Sequence, residues 1–261
     1  MLYRIGALLI SPWNDKARRW RSGRKDIFQR LEQALRGGAG ADRPLIWFHC
    51  ASLGEFEQAR PLLEKTRESV EVKQRFFSEN KDTILAASLD LAKAFHGGHK
   101  LLVCGNGGSA TDAQHIAVEF MHPITVGRKA LPAICLTNDM AMVTAVANDV
   151  GFDDIFTRQI IALGNEGDVL LGVSTSGNSK NLMHAFATAR RMKIKTIGFA
   201  GSDGGEMAEL AIGGLVNFCL TVPTASIHRI QETHVALYHI MWDLVHTLLQ
   251  HKGLMEEGRQ E

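Results

Sequence analysis

The feature that most constrains this chain is the alternation of short apolar runs with helical stretches between residues 101 and 250. Leu101 to Cys104, Ala133 to Leu136, Val169 to Ser174, Thr196 to Ala200 and Val216 to Val222 are too short for helices and are bounded by turn residues, so they read as strands. Met140 to Val146, Phe152 to Leu163 and Lys180 to Met192 read as helices between them, and a closing helix runs from about Ser226 to Gln250. Strands separated by helices predict an α/β fold, a doubly wound five-stranded parallel sheet flanked by helices on both faces. Ligands in such sheets bind at the carboxyl ends of the strands, so those ends are where chemistry is sought.

The first such end is in LLVCGNGGSATDAQHIAVE, Leu101 to Glu119. A buried strand turns through Gly105, Asn106, Gly107, Gly108 and Ser109 into a helix. Glycines admit a ligand close to the backbone, the helix N-terminus offers free N–H groups to an anion, and the i, i+4 spacing puts His115 and Glu119 on one face. A sugar phosphate would use all three features, although an ordinary α/β turn with a surface His/Glu pair has the same local pattern.

The second end is DVLLGVSTSGNS, where a strand delivers Ser174, Thr175, Ser176 and Ser179 to another helix start. Hydroxyls and N–H groups converge there as a phosphate monoester requires, or as a well-capped helix would have them. No GxxxxGK[ST] lysine is present, which argues against a nucleoside triphosphate. Asn148-Asp149 and the Arg229-Ile230-Gln231-Glu232 run with His239 complete the polar candidates. His115, Glu119 and His239 suit zinc or a related divalent metal. Gln231 and His239 lie about 12 Å apart along a continuous helix, a separation that needs long reach, a distorted helix or a second subunit if both hold one ion. His234 and His246 compete for the same role.

Composition removes other classes. A net charge of +1 lacks the basic excess of a nucleic-acid binder, so no nucleic acid is expected and the partner is a small molecule. The four cysteines sit unpaired in apolar runs, as reduced core residues of a cytoplasmic protein do. No run reaches the length of a membrane span, and the run Ile5 to Ile10 lacks a signal-peptide cleavage pattern.

Residues 1 to about 64 differ in character. Lys16 to Lys25 are strongly basic and carry Trp20, with Trp13 just before, and this stretch reads as a solvated helix face or a membrane-surface contact. A glycine-rich break follows at 37–40, then one strand, Pro44 to Cys50. From about Glu64 an amphipathic pattern, Val70 to Phe95, reads as one helix or two.

Taken together, CGNGGSATDAQHIAVE, ANDVGFDDIF, GDVLLGVSTSGNS and RIQETHVALYH resemble the phosphoheptose isomerase family, sugar isomerase (SIS) domain proteins that convert sedoheptulose 7-phosphate to D-glycero-D-manno-heptose 7-phosphate for ADP-heptose and lipopolysaccharide core biosynthesis. The resemblance implies substrate contacts at Asn106, Gly107, Gly108, Ser109, Asn148, Asp149, Ser174, Thr175, Ser176, Ser179 and Gln231, and metal ligands, for one Zn2+ per subunit, at His115, Glu119, Gln231 and His239. It also implies a homotetramer. His228 departs from the acidic residue that some members carry before the Arg-Ile-Gln-Glu run. In the implied reaction Glu119 is the base that moves a proton between C1 and C2 through an enediol, and His239 is its acid/base partner. A carboxylate has a low reference pKa for this task, so burial and a polarised carbonyl have to narrow the gap.

Two other functions fit the same fold. One is a non-catalytic SIS protein that binds the replication initiator, although such relatives typically lack a carboxylate at the position of Glu119. The other is an isomerase or sensor for a different phosphosugar. Separately, WNDKARRWRSGRK and PLIWFHCASLGEFEQARPL resemble the start of the Kdo transferase family, with Glu55 at the position of its base. That resemblance stops near Leu63 and the rest of a two-domain glycosyltransferase has no counterpart. The expected organisation is a truncated transferase-like appendage at 1–63 that is not an independent domain, a SIS isomerase domain at 64–252 and a tail at 253–261.

Overall fold

The computed structural model describes residues 53–251 continuously, with residue 253 and scattered positions between 12 and 33. The expected strand Pro44 to Cys50, most of the basic stretch and nearly all of the tail lie outside the described residues. The chain divides into two units between Ala59 and Arg60. In the first, Ala17 N donates to Asn14 Oδ1 at 3.1 Å and Trp13 is exposed.

Helix α1 spans Leu53–His96, so the stretch that reads as one helix or two is a single helix that begins well before Glu64. No glycine occurs between Glu55 and His96 to stop it. Then follow β1 (Leu101–Gly105), α2 (Gly108–Met121), β2 (Ala133–Cys135), α3 (Met140–Asp149), a 3₁₀ turn (Phe152–Asp154), α4 (Thr157–Leu163), β3 (Val169–Val173), α5 (Lys180–Arg191), β4 (Lys195–Gly201), α6 (Gly205–Ile212), β5 (Phe218–Val222) and α7 (Ile227–Gln250). The sheet order is β2-β1-β3-β4-β5 and all pairs are parallel. Because β2 and β3 lie on opposite sides of β1, the chain reverses direction across the sheet between β1 and β3. Their carboxyl ends form the crevice in which doubly wound sheets bind ligands.

Both sheet faces are covered, which is why the strands read as continuous apolar runs. Leu101, Val103, Val169 and Leu171 face a core shared with Phe76 and Leu91 of α1, Ile116 of α2, and Leu237, Met241 and Val245 of α7. Leu102, Cys104 and Leu170 face the other side, against Phe156, Ile160, Leu182 and Phe186. At the opposite end of the sheet, buried Asp168 accepts from Lys100 Nζ at 2.6 Å, Lys100 N at 3.0 Å and Asn165 N at 2.8 Å, tying the starts of β1 and β3 together.

Polar contacts fasten α1 to α7. Ser69 Oγ donates to Glu232 Oε2 at 2.7 Å, Lys73 Nζ lies 3.7 Å from the same carboxylate, and Arg229 Nη1 donates to the Lys65 carbonyl at 2.8 Å. From Lys65 onward the helix is therefore fastened to α7. Two elements differ from the sequence reading. Phe152 to Leu163 is broken into a 3₁₀ turn and a short helix, and α6 lies between the expected strands Thr196 to Ala200 and Val216 to Val222, where the sequence reading has no helix. Gly204 in the left-handed conformation (φ 87°) starts α6 immediately after the turn, and Met207 anchors it in the core.

Candidate active site

The site begins where β1 ends. Gly107 takes φ 56°, a left-handed value that favours glycine, and no side chain caps α2 behind it. At Gly108 an added Cβ would come 2.3 Å from Gln231 Nε2, so the amide of Gln231 lies directly against the backbone of the turn. Asn106 is held in place by a reciprocal amide pair with Asn181 at the start of α5. Each Nδ2 donates to the other's Oδ1 at 2.9 Å, and Asn181 is buried. This cross-link joins the turns that follow β1 and β3 at the switch point.

The second turn follows β3. Ser174 is buried, with its Oγ 3.1 Å from Ser179 Oγ and 3.5 Å from Ser176 Oγ, and it accepts from Gly177 N at 3.1 Å. Ser179 occupies the N-cap position of α5 but makes no cap hydrogen bond. Its hydroxyl is turned into the serine cluster, so the helix start has no side-chain cap, which is the arrangement expected where an anion supplies the acceptor. Thr175 is half-buried and Ser176 exposed at the lip of this turn.

Helices α2 and α7 run side by side in the same direction. Gln231 meets Gly108 at their starts, and about two turns further along His239 meets His115 and Glu119. One ligand atom each from His115, Glu119 and His239 lies within 4.8 Å of the other two. His115 Nε2 is 3.1 Å, and His239 Nε2 4.0 Å, from Glu119 Oε1. Each imidazole is oriented through its other nitrogen: His239 Nδ1 donates to the Val235 carbonyl at 2.8 Å, and His115 Nδ1 is 2.7 Å from the Tyr238 hydroxyl. Two imidazole nitrogens and a carboxylate that converge in this way fit a divalent metal. The Trp242 indole N–H donates to the Glu119 carbonyl at 2.8 Å and fixes that turn of α2, while the Arg128 guanidinium stacks 4.3 Å over the Trp242 ring.

Other candidates are placed elsewhere. His234 is fully buried with Nε2 3.0 Å from the Ala200 carbonyl, and burial lowers its pKa to about 4. His246 is buried against Phe120 and Trp242. Neither joins the metal-type group. Asn148 and Asp149 end α3, exposed, with Asn148 Nδ2 donating to Asp149 Oδ1 at 2.8 Å, and His228 is exposed at the start of α7.

Comparison with known proteins matches this geometry to a family. The SIS domain pattern fits residues 66–201. A phosphoheptose isomerase from Nitratidesulfovibrio vulgaris is 42% identical over 188 residues, 72% of this chain and 88% of the relative. The chain belongs to the phosphoheptose isomerase family. A further phosphoheptose isomerase, from Geobacter sulfurreducens, is 50% identical over 155 residues, 59% of this chain and 79% of that one. The structure of a phosphoheptose isomerase from Francisella tularensis superposes with a TM-score of 0.68 at 34% identity, covering 73% of this chain and 98% of that one. The N-terminal pattern of 3-deoxy-D-manno-octulosonic-acid transferase (kdotransferase) also fits, over residues 25–84. It runs past Leu63 and overlaps the SIS match along α1.

This phosphoheptose isomerase family member carries three supporting residues that sequence reasoning did not single out: Asn181, Tyr238 and Trp242. Asn181 lies beside a quoted motif, but as a polar residue on a helix it looks solvated until the fold brings in Asn106. Tyr238 and Trp242 look like ordinary core aromatics.

Proposed function

We propose that this isomerase converts sedoheptulose 7-phosphate to D-glycero-D-manno-heptose 7-phosphate. The observation that carries the reading is the His115, Glu119 and His239 group, two helical turns from a glycine turn cross-linked to a serine-rich helix start. The phosphate is assigned to Ser174, Thr175, Ser176 and Ser179, and the sugar to Asn106, Gly107, Gly108, Ser109 and Gln231. Asn148 and Asp149 are kept as substrate contacts because of the family resemblance. Glu119 takes the proton from one carbon and returns it to its neighbour, and His239 exchanges protons with the sugar oxygens. The phosphate cradle holds the reacting carbons against Glu119.

Zinc is the proposed metal, held by His115, Glu119 and His239, with Gln231 as a fourth donor as the resemblance implies. Bound there, it would polarise the substrate carbonyl and ease loss of the neighbouring proton. A homotetramer is proposed for a geometric reason. His115 and His239 are more than 40% exposed in the single chain, and the apolar Val118, Met121 and Ile240 beside them are exposed as well. Packing of subunits over this face would exclude water from the site. The proposed setting is the cytoplasm and lipopolysaccharide core biosynthesis, and residues 1–63 are proposed to be a transferase-like appendage with no catalysis of its own.

The carboxylate of Glu119 favours an enzyme over a non-catalytic initiator-binding relative. The test is a panel of ketose phosphates with metal-replete and chelator-treated protein. Sedoheptulose 7-phosphate should be the best substrate, with turnover lost to chelator and restored by Zn2+. Preference for a shorter ketose phosphate would replace the heptose assignment, and no turnover of any of them would remove the enzyme reading.

A further inference from the structure

The two imidazoles of the metal-type group are oriented by different means. His239 Nδ1 donates to the Val235 carbonyl at 2.8 Å. A carbonyl can only accept, so this bond fixes the tautomer and leaves Nε2 with its lone pair free. His115 has no such guide. Its Nδ1 faces the Tyr238 hydroxyl at 2.7 Å, and a hydroxyl can donate or accept. With no metal bound, Nε2–H can donate to Glu119 Oε1 at 3.1 Å while Nδ1 accepts from Tyr238. Ligation through Nε2 demands the other tautomer, in which Nδ1–H donates to the Tyr238 oxygen and the Tyr238 hydrogen turns to a different acceptor.

An acceptor of the right kind is carried by the same helix as His115. Asp112 lies one turn before His115 on α2, and its Oδ2 is buried without a hydrogen-bond partner among the described residues. Burial, then the charges of Asp112 and Glu119, oppose ionisation of the Tyr238 hydroxyl, so it keeps a proton to donate. Tyr238 itself is 2% exposed, so water is a poor alternative acceptor.

We propose that Tyr238, backed by Asp112, is a positioning residue that holds His115 in its Nδ1–H tautomer and thereby sets the metal affinity of the site. The proposal rests on the metal reading above and is tested by metal binding, not turnover. Co2+ is titrated into the chelator-stripped full-length protein, followed by its visible absorption and by competition with a chelator, for wild type, Tyr238→Phe, Asp112→Ala and the double variant. Thermal unfolding in excess chelator checks that packing is intact. Tyr238→Phe should weaken Co2+ binding about 10–100-fold, in the range seen when a partner behind a metal ligand is removed, with unfolding in chelator little changed. Asp112→Ala should also weaken binding, but add nothing in the Tyr238→Phe background, because it acts through the hydroxyl. Tyr238→Phe binding within twofold of wild type, or losses that simply add, would overturn the proposal. Failure of the wild type to bind Co2+ or Zn2+ would overturn the metal reading and the proposal together.

Discussion

His234 should make the stability of this fold depend on pH in a defined window. It is fully buried on α7, beside the Phe199 ring and with Nε2 3.0 Å from the Ala200 carbonyl, and burial lowers its pKa from 6.5 to about 4. The unfolded chain binds this proton more readily than the folded one, so stability is complete above pH 6.5, falls as the pH drops toward 4, and levels off below. The 2.5-unit difference corresponds to roughly 3 kcal/mol at the low end of the window. Urea unfolding at intervals from pH 7.5 to 4.5 would measure it, comparing wild type with His234→Gln. The amide can still donate to Ala200 but does not titrate, so the variant should lose much less stability across the window. His115 and His239 are common to both proteins, and their contribution cancels in the difference. Parallel loss in wild type and variant would show that His234 is not the buried neutral group described here.

Three further outcomes are expected. Ser176→Ala should weaken binding of the phosphosugar more than binding of its dephosphorylated analogue, and equal losses in calorimetry would argue against the serine cradle. Asn181→Ala, which leaves the Asn106 amide without its partner, should cost about 1–3 kcal/mol in chemical unfolding and raise KM; an unchanged KM would separate the amide pair from the substrate turn. A chain starting at Arg60 should fold and keep its isomerase rate. One starting after Lys73 loses the Lys65, Ser69 and Lys73 contacts to α7 and should show a lower Tm, and equal Tm values for the two would contradict the clamp seen between α1 and α7.

Much of the architecture was legible because β1, β3 and β4 are buried on both faces and the strands are flanked by turn residues. The segment that became α6 was not, because Gly201, Ser202, Asp203 and Gly204 run straight into it and Met207 is its one fully buried residue. In the site, the residue types were legible but their partnership was not. The separation of Gln231 from His239 along one helix reads as an obstacle to joint ligation. The structure gives that spacing a second use: α2 runs alongside α7, so one end of the interval meets the glycine turn at Gly108 and the other meets His115 and Glu119. Asp112, Tyr238 and Asn181 were missed for a related reason: Tyr238 meets His115 and Asn181 meets Asn106 across long sequence separations, and the buried, unpaired state of Asp112 Oδ2 has no mark in the local sequence.

The central claim is that Glu119 moves a proton between carbons of sedoheptulose 7-phosphate. The most direct measurement is product formation from that ketose, followed by NMR, for metal-replete wild type and Glu119→Gln. Wild type should form the aldoheptose 7-phosphate, and Glu119→Gln, close in shape but with no base, should be slower by a factor on the order of 10²–10⁴. No aldoheptose from the wild type, or a wild-type rate from Glu119→Gln, would contradict the account.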